Sequence, residues 1–169
     1  VPGAFLRDAP AGSPEAEGSS DARIQYQDEA SQLIPHLLRP LEGMRVWDAC
    51  AAPGGKTGIL ARLCGPSGSV TAGDSRQERV SRLVRSLRDA GWANVRVVVA
   101  DARAAPPFRE AFDAVLADVP CSGLGTLRKN PEIKWQFDAG RFEALGETQR
   151  RILDRVSCAV RRGGRLLYS

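Results

Sequence analysis

Apolar residues recur along this chain in two alternating rhythms. Ala30, Leu33, Ile34, Leu37 and Leu38 stand at the spacing of one helical face, with Asp28 as the candidate N-cap. Pro35 falls inside that helix and Pro40 lies just beyond it. From Met44 onward, short apolar runs alternate with helical patterns. "MRVWDA" (44–49) predicts a strand, followed by a helix from Gly54-Gly55 to about Cys64. "SVTAGD" (69–74) predicts a second strand. The next helix carries Val80, Leu83, Val84 and Leu87 on one face, sets Arg79, Arg82, Arg85 and Arg88 elsewhere, and ends near Gly91. "VRVVVAD" (95–101) and "FDAVLADVP" (112–120) are strands three and four. A helix over 142–161 then presents Leu145, Gln149, Ile152, Val156 and Val160, and "GRLLYS" (164–169) begins a fifth strand.

Apolar strands alternating with helices imply an α/β chain whose parallel sheet is covered on both faces. In such sheets ligands bind beyond the carboxyl ends of the strands. Asp48 and Cys50, Asp74, Asp101 and Asp118 all stand at those ends. Residues 1–25 are rich in Pro, Gly, Ala, Ser and charge, so they predict a linker or mobile segment ahead of a domain over 26–169.

Composition narrows the class without naming it. The chain has 169 residues, 43% hydrophobic, enough for one core without staples. No apolar run reaches the roughly 20 residues of a membrane helix, and no signal peptide opens the sequence. Cys50, Cys64, Cys121 and Cys158 are widely spaced and His36 is the single histidine, which argues against a metal site and for a reducing, cytoplasmic setting. The net charge of +4 leans toward an anionic partner, but a bias toward arginine would produce it equally well.

The glycine turn before Lys56-Thr57 raises the question of what it holds. A phosphate-binding loop requires glycine five residues before Gly55, where this chain has Cys50. "AVLAD" (114–118) does resemble the strand that holds magnesium in nucleotidases. Against that, Asp74 follows Gly54 by 20 residues, the spacing of a carboxylate that accepts from ribose hydroxyls. Asp101 and Asp118 add negative charge that repels a triphosphate and suits a cationic adenosine compound, S-adenosylmethionine. Gly54 and Gly55 would let the backbone approach it.

"DACAAPGGKT" (48–57) and "DVPCSGLGTLRKNPEIKW" (118–135), with "QDEASQLIPHLL" (27–38) upstream, resemble the Sun (Fmu) family of RNA cytosine-5 methyltransferases, especially its bacterial ribosomal RNA members. The resemblance spans Tyr26 to Ser169. It implies a Rossmann-like methyltransferase fold, S-adenosylmethionine as cofactor and ribosomal RNA as partner. It also implies a cofactor loop of Cys50, Ala51, Ala52, Pro53, Gly54, Gly55 and Lys56, with Asp74 on the ribose, Asp101 against the adenine and Asp118 where cofactor and base meet.

Cys121 matches the cysteine of the family's Pro-Cys motif. From the residues alone it reads as the nucleophile that adds to C6 of cytosine. The family gives attack to a second cysteine, in a Thr-Cys-Ser motif after the fifth strand, and product release to the Pro-Cys cysteine. The chain stops at Ser169, so the expectation is a fragment, truncated after the fifth strand, that binds cofactor without completing transfer. Arg128, Lys129, Lys134 and Trp135 are candidate RNA contacts; the alternative is a charged loop with a packing tryptophan. Rival functions are a methyltransferase of the same fold acting on transfer RNA or another substrate, a P-loop nucleotidase, and a non-enzymatic RNA-binding module.

Overall fold

The computed structural model describes residues 27–106, 109–127, 131–136 and 138–169. The segment 1–25, expected to be a linker, lies outside the described residues. The elements are α1 (Glu29–Leu38), β1 (Arg45–Asp48), α2 (Gly55–Cys64), β2 (Ser69–Asp74), α3 (Gln77–Asp89), β3 (Val95–Val99), β4 (Phe112–Ala117), α4 (Ala139–Ser157) and β5 (Val160–Tyr168). Two 3-10 turns, Leu124–Thr126 and Pro131–Gln136, lie between β4 and α4.

All five strands are parallel, in the order β3-β2-β1-β4-β5. The chain runs outward from β1 to β3, then crosses back to β4. The gap between the carboxyl ends of β1 and β4 is therefore a topological switch point, where a crevice opens. Asp48 pairs with Leu116 of β4 and Ala72 of β2, which sets Asp118 and Asp74 each two residues beyond that register.

Alternation along the strands sorts the core into two sides. Val46, Val70, Ala114 and Leu116 pack with Leu60 and Ala61 of α2 and Leu38 of α1, while Ala72 meets Leu83 and Leu87 of α3. On the other side Trp47, Val115 and Phe112 pack with Ile152 and Val156 of α4. The Trp47 and Phe112 rings stack with centroids 5.8 Å apart. Fully burying a side chain such as Leu60 or Leu83 contributes about 1.5–3 kcal/mol.

Three expectations change. Leu33 and Leu37 are 46% and 67% exposed, because α1 turns Pro35 and Leu38 inward instead. Three helices cover one face of the sheet, but among the described residues the other face has α4 alone, and Arg96 of β3 is exposed there. Strand β5 begins at Val160 rather than Gly164. Its pairing jumps from Phe112–Val160 to Ala114–Arg165, and Gly163 at φ 75° turns the extra residues out as a bulge. The last helix correspondingly stops at Ser157.

The carboxyl end of α2 is held by a side chain the pattern did not single out. Asn94, just before β3, donates from Nδ2 to the carbonyls of Ala61 and Gly65, each at 2.9 Å. Replacing Asn94 by Ala leaves both partly buried carbonyls without this donor, and the expected loss is about 1–3 kcal/mol in urea unfolding. An unchanged midpoint would mean that water serves those carbonyls equally well.

Candidate functional site

The turn between β1 and α2 owes its shape to packing. Gly54 adopts φ 115°, and a Cβ there would lie 2.9 Å from Leu83 Cδ1 of α3. A Cβ on Gly55 would meet the Gln27 amide at 3.1 Å. Gly54 thus also admits the Leu83 side chain of α3 close against the loop. The Ala52-Pro53 peptide is cis.

A small cleft opens at the switch point. Cys50, Ala51, Ala52, Pro53, Lys56 and Asp118 line it as expected, joined by Asp48 and Gln27.

Charge is balanced strand by strand. Lys56 Nζ lies 2.6 Å from Asp118 Oδ2. Asp74 is buried, accepts from the Arg76 N–H at 3.2 Å and pairs with Arg79 Nη2 at 3.3 Å. The same Arg79 nitrogen donates to the Ala52 carbonyl at 2.9 Å, tying the ribose candidate to the loop. The sequence placed Arg79 with Arg82, Arg85 and Arg88 off the apolar face; its place five residues after Asp74 was the missed signal.

Asp101 does not join the cleft. It is a more exposed carboxylate held by Arg103 through Nε at 2.9 Å and Nη2 at 2.7 Å, which keeps its pKa below the usual range.

Asp48 has no such cation bonded to it. Its Oδ2 accepts from Thr57 Oγ1 at 2.7 Å, and its Oδ1 is buried with no hydrogen bond. Burial raises its pKa to about 7; the field of Asp118 adds to the rise, while Thr57, Lys56 and the Cys50 N–H oppose it. Burial likewise pushes the Cys50 thiol up to about 12, with the fields of Asp48, Asp74 and Asp118 behind it. Cys50 is therefore a neutral wall of the cleft and not a thiolate.

The remaining candidates lie elsewhere. Cys121 is exposed on the segment after β4. Trp135 is 80% exposed. Arg128, Lys129 and the Lys134 side chain lie outside what is described. Among the described residues no group of His, Cys, Asp or Glu could hold a metal ion, and no helix is long and apolar enough to cross a membrane.

A parallel sheet of this order, with a glycine turn after β1 and acidic residues at the ends of β1, β2 and β4, defines a Rossmann-like methyltransferase fold. Comparison with known proteins agrees. The family model described as 16S rRNA methyltransferase RsmB/F matches residues 35–169, and the chain belongs to that family. It is 36% identical over 155 residues to the probable ribosomal RNA small subunit methyltransferase B of Synechocystis sp., a match covering 90% of this chain and 34% of that protein. It is 35% identical over 144 residues to the 28S rRNA (cytosine-C(5))-methyltransferase of Mus musculus, covering 82% and 18%. The crystal structure of NSun6 from Pyrococcus horikoshii with SFG superposes with a TM-score of 0.78 at 29% identity, covering 98% of this chain and 40% of that one. The chain thus spans about a third of the Synechocystis relative's length.

The buried Asp48 makes a pH prediction. Its pKa rises from an ordinary 3.8 to about 7 on folding, so the native state holds an extra proton between those values. The stability this gives is complete below 3.8 and is lost as pH climbs through about 7. In urea unfolding at pH 5 and pH 8, Asp48→Asn should gain on the wild-type protein at the higher pH. A difference between the two proteins that stays constant with pH would refute the assignment.

Proposed function

We propose that this chain is the cofactor-binding part of an S-adenosylmethionine-dependent enzyme that methylates C5 of a cytosine in ribosomal RNA. One observation carries the choice of cofactor. Lys56 and Thr57, the side chains a phosphate-binding loop would aim at phosphates and magnesium, are both engaged by carboxylates at adjoining strand ends, Asp118 and Asp48. With Lys56 already paired to Asp118, the cleft keeps the carboxyl groups of Asp48 and Asp118 for a cationic ligand, and the relatives' names support the reaction and the RNA.

Bound S-adenosylmethionine supplies an electrophilic methyl group. The chain's part is to hold that group and orient the base. Asp74 would accept from the ribose hydroxyls, held in place by Arg79. The loop Cys50–Lys56 would enclose the methionine end, beside the unsatisfied Oδ1 of Asp48. Asp118 would face the cytosine edge. Asp101 would reach the adenine only by exchanging its contacts with Arg103.

C5 of cytosine becomes nucleophilic once a thiolate adds to C6. After methylation a base removes the C5 proton and the thiolate is expelled. We assign Cys121 to this release step, as the resemblance implies, with attack by another cysteine. Trp135, exposed on the 3-10 turn after the Pro-Cys segment, offers a stacking face for unpaired RNA.

Calorimetry on the full-length protein tests the cofactor. S-adenosylmethionine should bind and ATP should not, and Asp74→Asn and Arg79→Ala should each weaken binding about tenfold, equivalent to about 1.4 kcal/mol. Binding of ATP alone would favour the nucleotidase. Mass spectrometry of ribosomal and transfer RNA after incubation with the enzyme reads the substrate, and 5-methylcytosine confined to transfer RNA would overturn the ribosomal assignment.

A further inference from the structure

Gln149 stands on the face of α4 that carries Leu145, Ile152 and Val156, three apolar residues at helical spacing. The amide is only partly buried, so neither of its ends is obliged to find a partner within the protein. Both do. Its Nε2 donates to the Pro120 carbonyl at 2.8 Å, and its Oε1 accepts from the Tyr168 hydroxyl at 3.1 Å. One side chain thus joins the Pro-Cys segment, the middle of α4 and the end of β5.

The neighbouring backbone reinforces this junction. Val119 N–H donates to the Ser169 carbonyl at 2.9 Å, and Ser169 N–H donates to the Ala117 carbonyl at 3.0 Å. Those bonds hold residues 117–119 to the end of β5, but Pro120 has no N–H with which to continue the ladder. Its carbonyl is therefore the handle by which the next peptide can be held. That carbonyl and the Cys121 nitrogen belong to one planar peptide, so fixing the oxygen fixes the plane from which Cys121 departs.

We propose that Gln149 is a positioning residue: its amide, braced by Tyr168, holds the Pro120 carbonyl and so aims the Cys121 thiol. Its importance for methyl transfer rests on the release role given to Cys121 above; the aiming itself does not. Without the amide, the exposed Cys121 segment swings more freely while α4 keeps its packing.

The test is the alkylation rate of each cysteine in the full-length protein under limiting iodoacetamide, resolved by peptide mass mapping. Cys158, exposed at the end of α4, is the internal reference, and the fully buried Cys64 reports loss of fold. Gln149→Met keeps the length of the side chain and removes both hydrogen bonds. It should raise the Cys121 to Cys158 ratio about fivefold, the factor carried by one hydrogen bond of ordinary net strength. Tyr168→Phe removes only the brace and should raise the ratio less, in the same direction. Should Gln149→Met expose Cys64, the Tyr168→Phe ratio decides alone. An unchanged ratio in the folded variants overturns the proposal. A raised ratio with methyl transfer unaltered upholds the aiming and instead removes Cys121 from the reaction, so the two readings fail separately.

Discussion

Four strands of this sheet deliver an aspartate to the same edge, and the site depends on how that negative charge is kept from forcing the strand ends apart. Asp74 has Arg79, Asp101 has Arg103 and Asp118 has Lys56. Asp48 lies deepest, where burial raises its pKa to about 7, and its Oδ2 accepts from the Thr57 hydroxyl. A buried carboxylate with neither counter-charge nor proton would cost several kcal/mol. The parallel sheet can therefore close around the switch point only because each acid is matched by a group two to nine residues away or across the crevice.

This matching changes the electrostatic case for the cofactor. Counting carboxylates in the sequence suggested that a triphosphate would be repelled, yet Lys56, Arg79 and Arg103 offset three of them. What discriminates is where the cations point. Lys56 and Thr57 face the aspartates that flank them, so a phosphate group would have to compete with bonds already made. A cationic ligand instead meets the partly exposed carboxylate of Asp118 at the cleft wall. The glycine turn does not decide the matter, since Gly54 is accounted for by the approach of Leu83.

The fold was legible because period and punctuation agree. Val115 and Leu116 sit in an unbroken apolar run, Val46 and Val70 in short strand-like stretches, and such stretches alternating with helices leave little but a parallel sheet. The helix faces of α3 and α4 were legible for the same reason. Leu33 and Leu37 misled because a helical stripe shows which residues can be covered, without showing how far the neighbouring elements extend. At the site, the acids and the loop were visible as spacings from a glycine turn. Their partners were not. Arg79 shares a helix with solvated arginines and differs from them only in what stands across the gap, and Gln149 looked like one more position in an apolar stripe.

That last case shows how the sheet edge becomes a device for chemistry. The strands bring reactive groups to a common end, but backbone pairing stops where proline interrupts it, one residue short of Cys121. Beyond that point precision must come from side chains reaching in from another layer. Helix α4 is the element placed to supply it, because it packs against β4 and β5 with Ile152 and Val156 fixed in the core. Gln149 lies about one turn from Ile152 and two from Val156, so its amide inherits their rigidity and passes it to Pro120. A rigid helix thereby orients an exposed thiol that the sheet alone would leave free to turn.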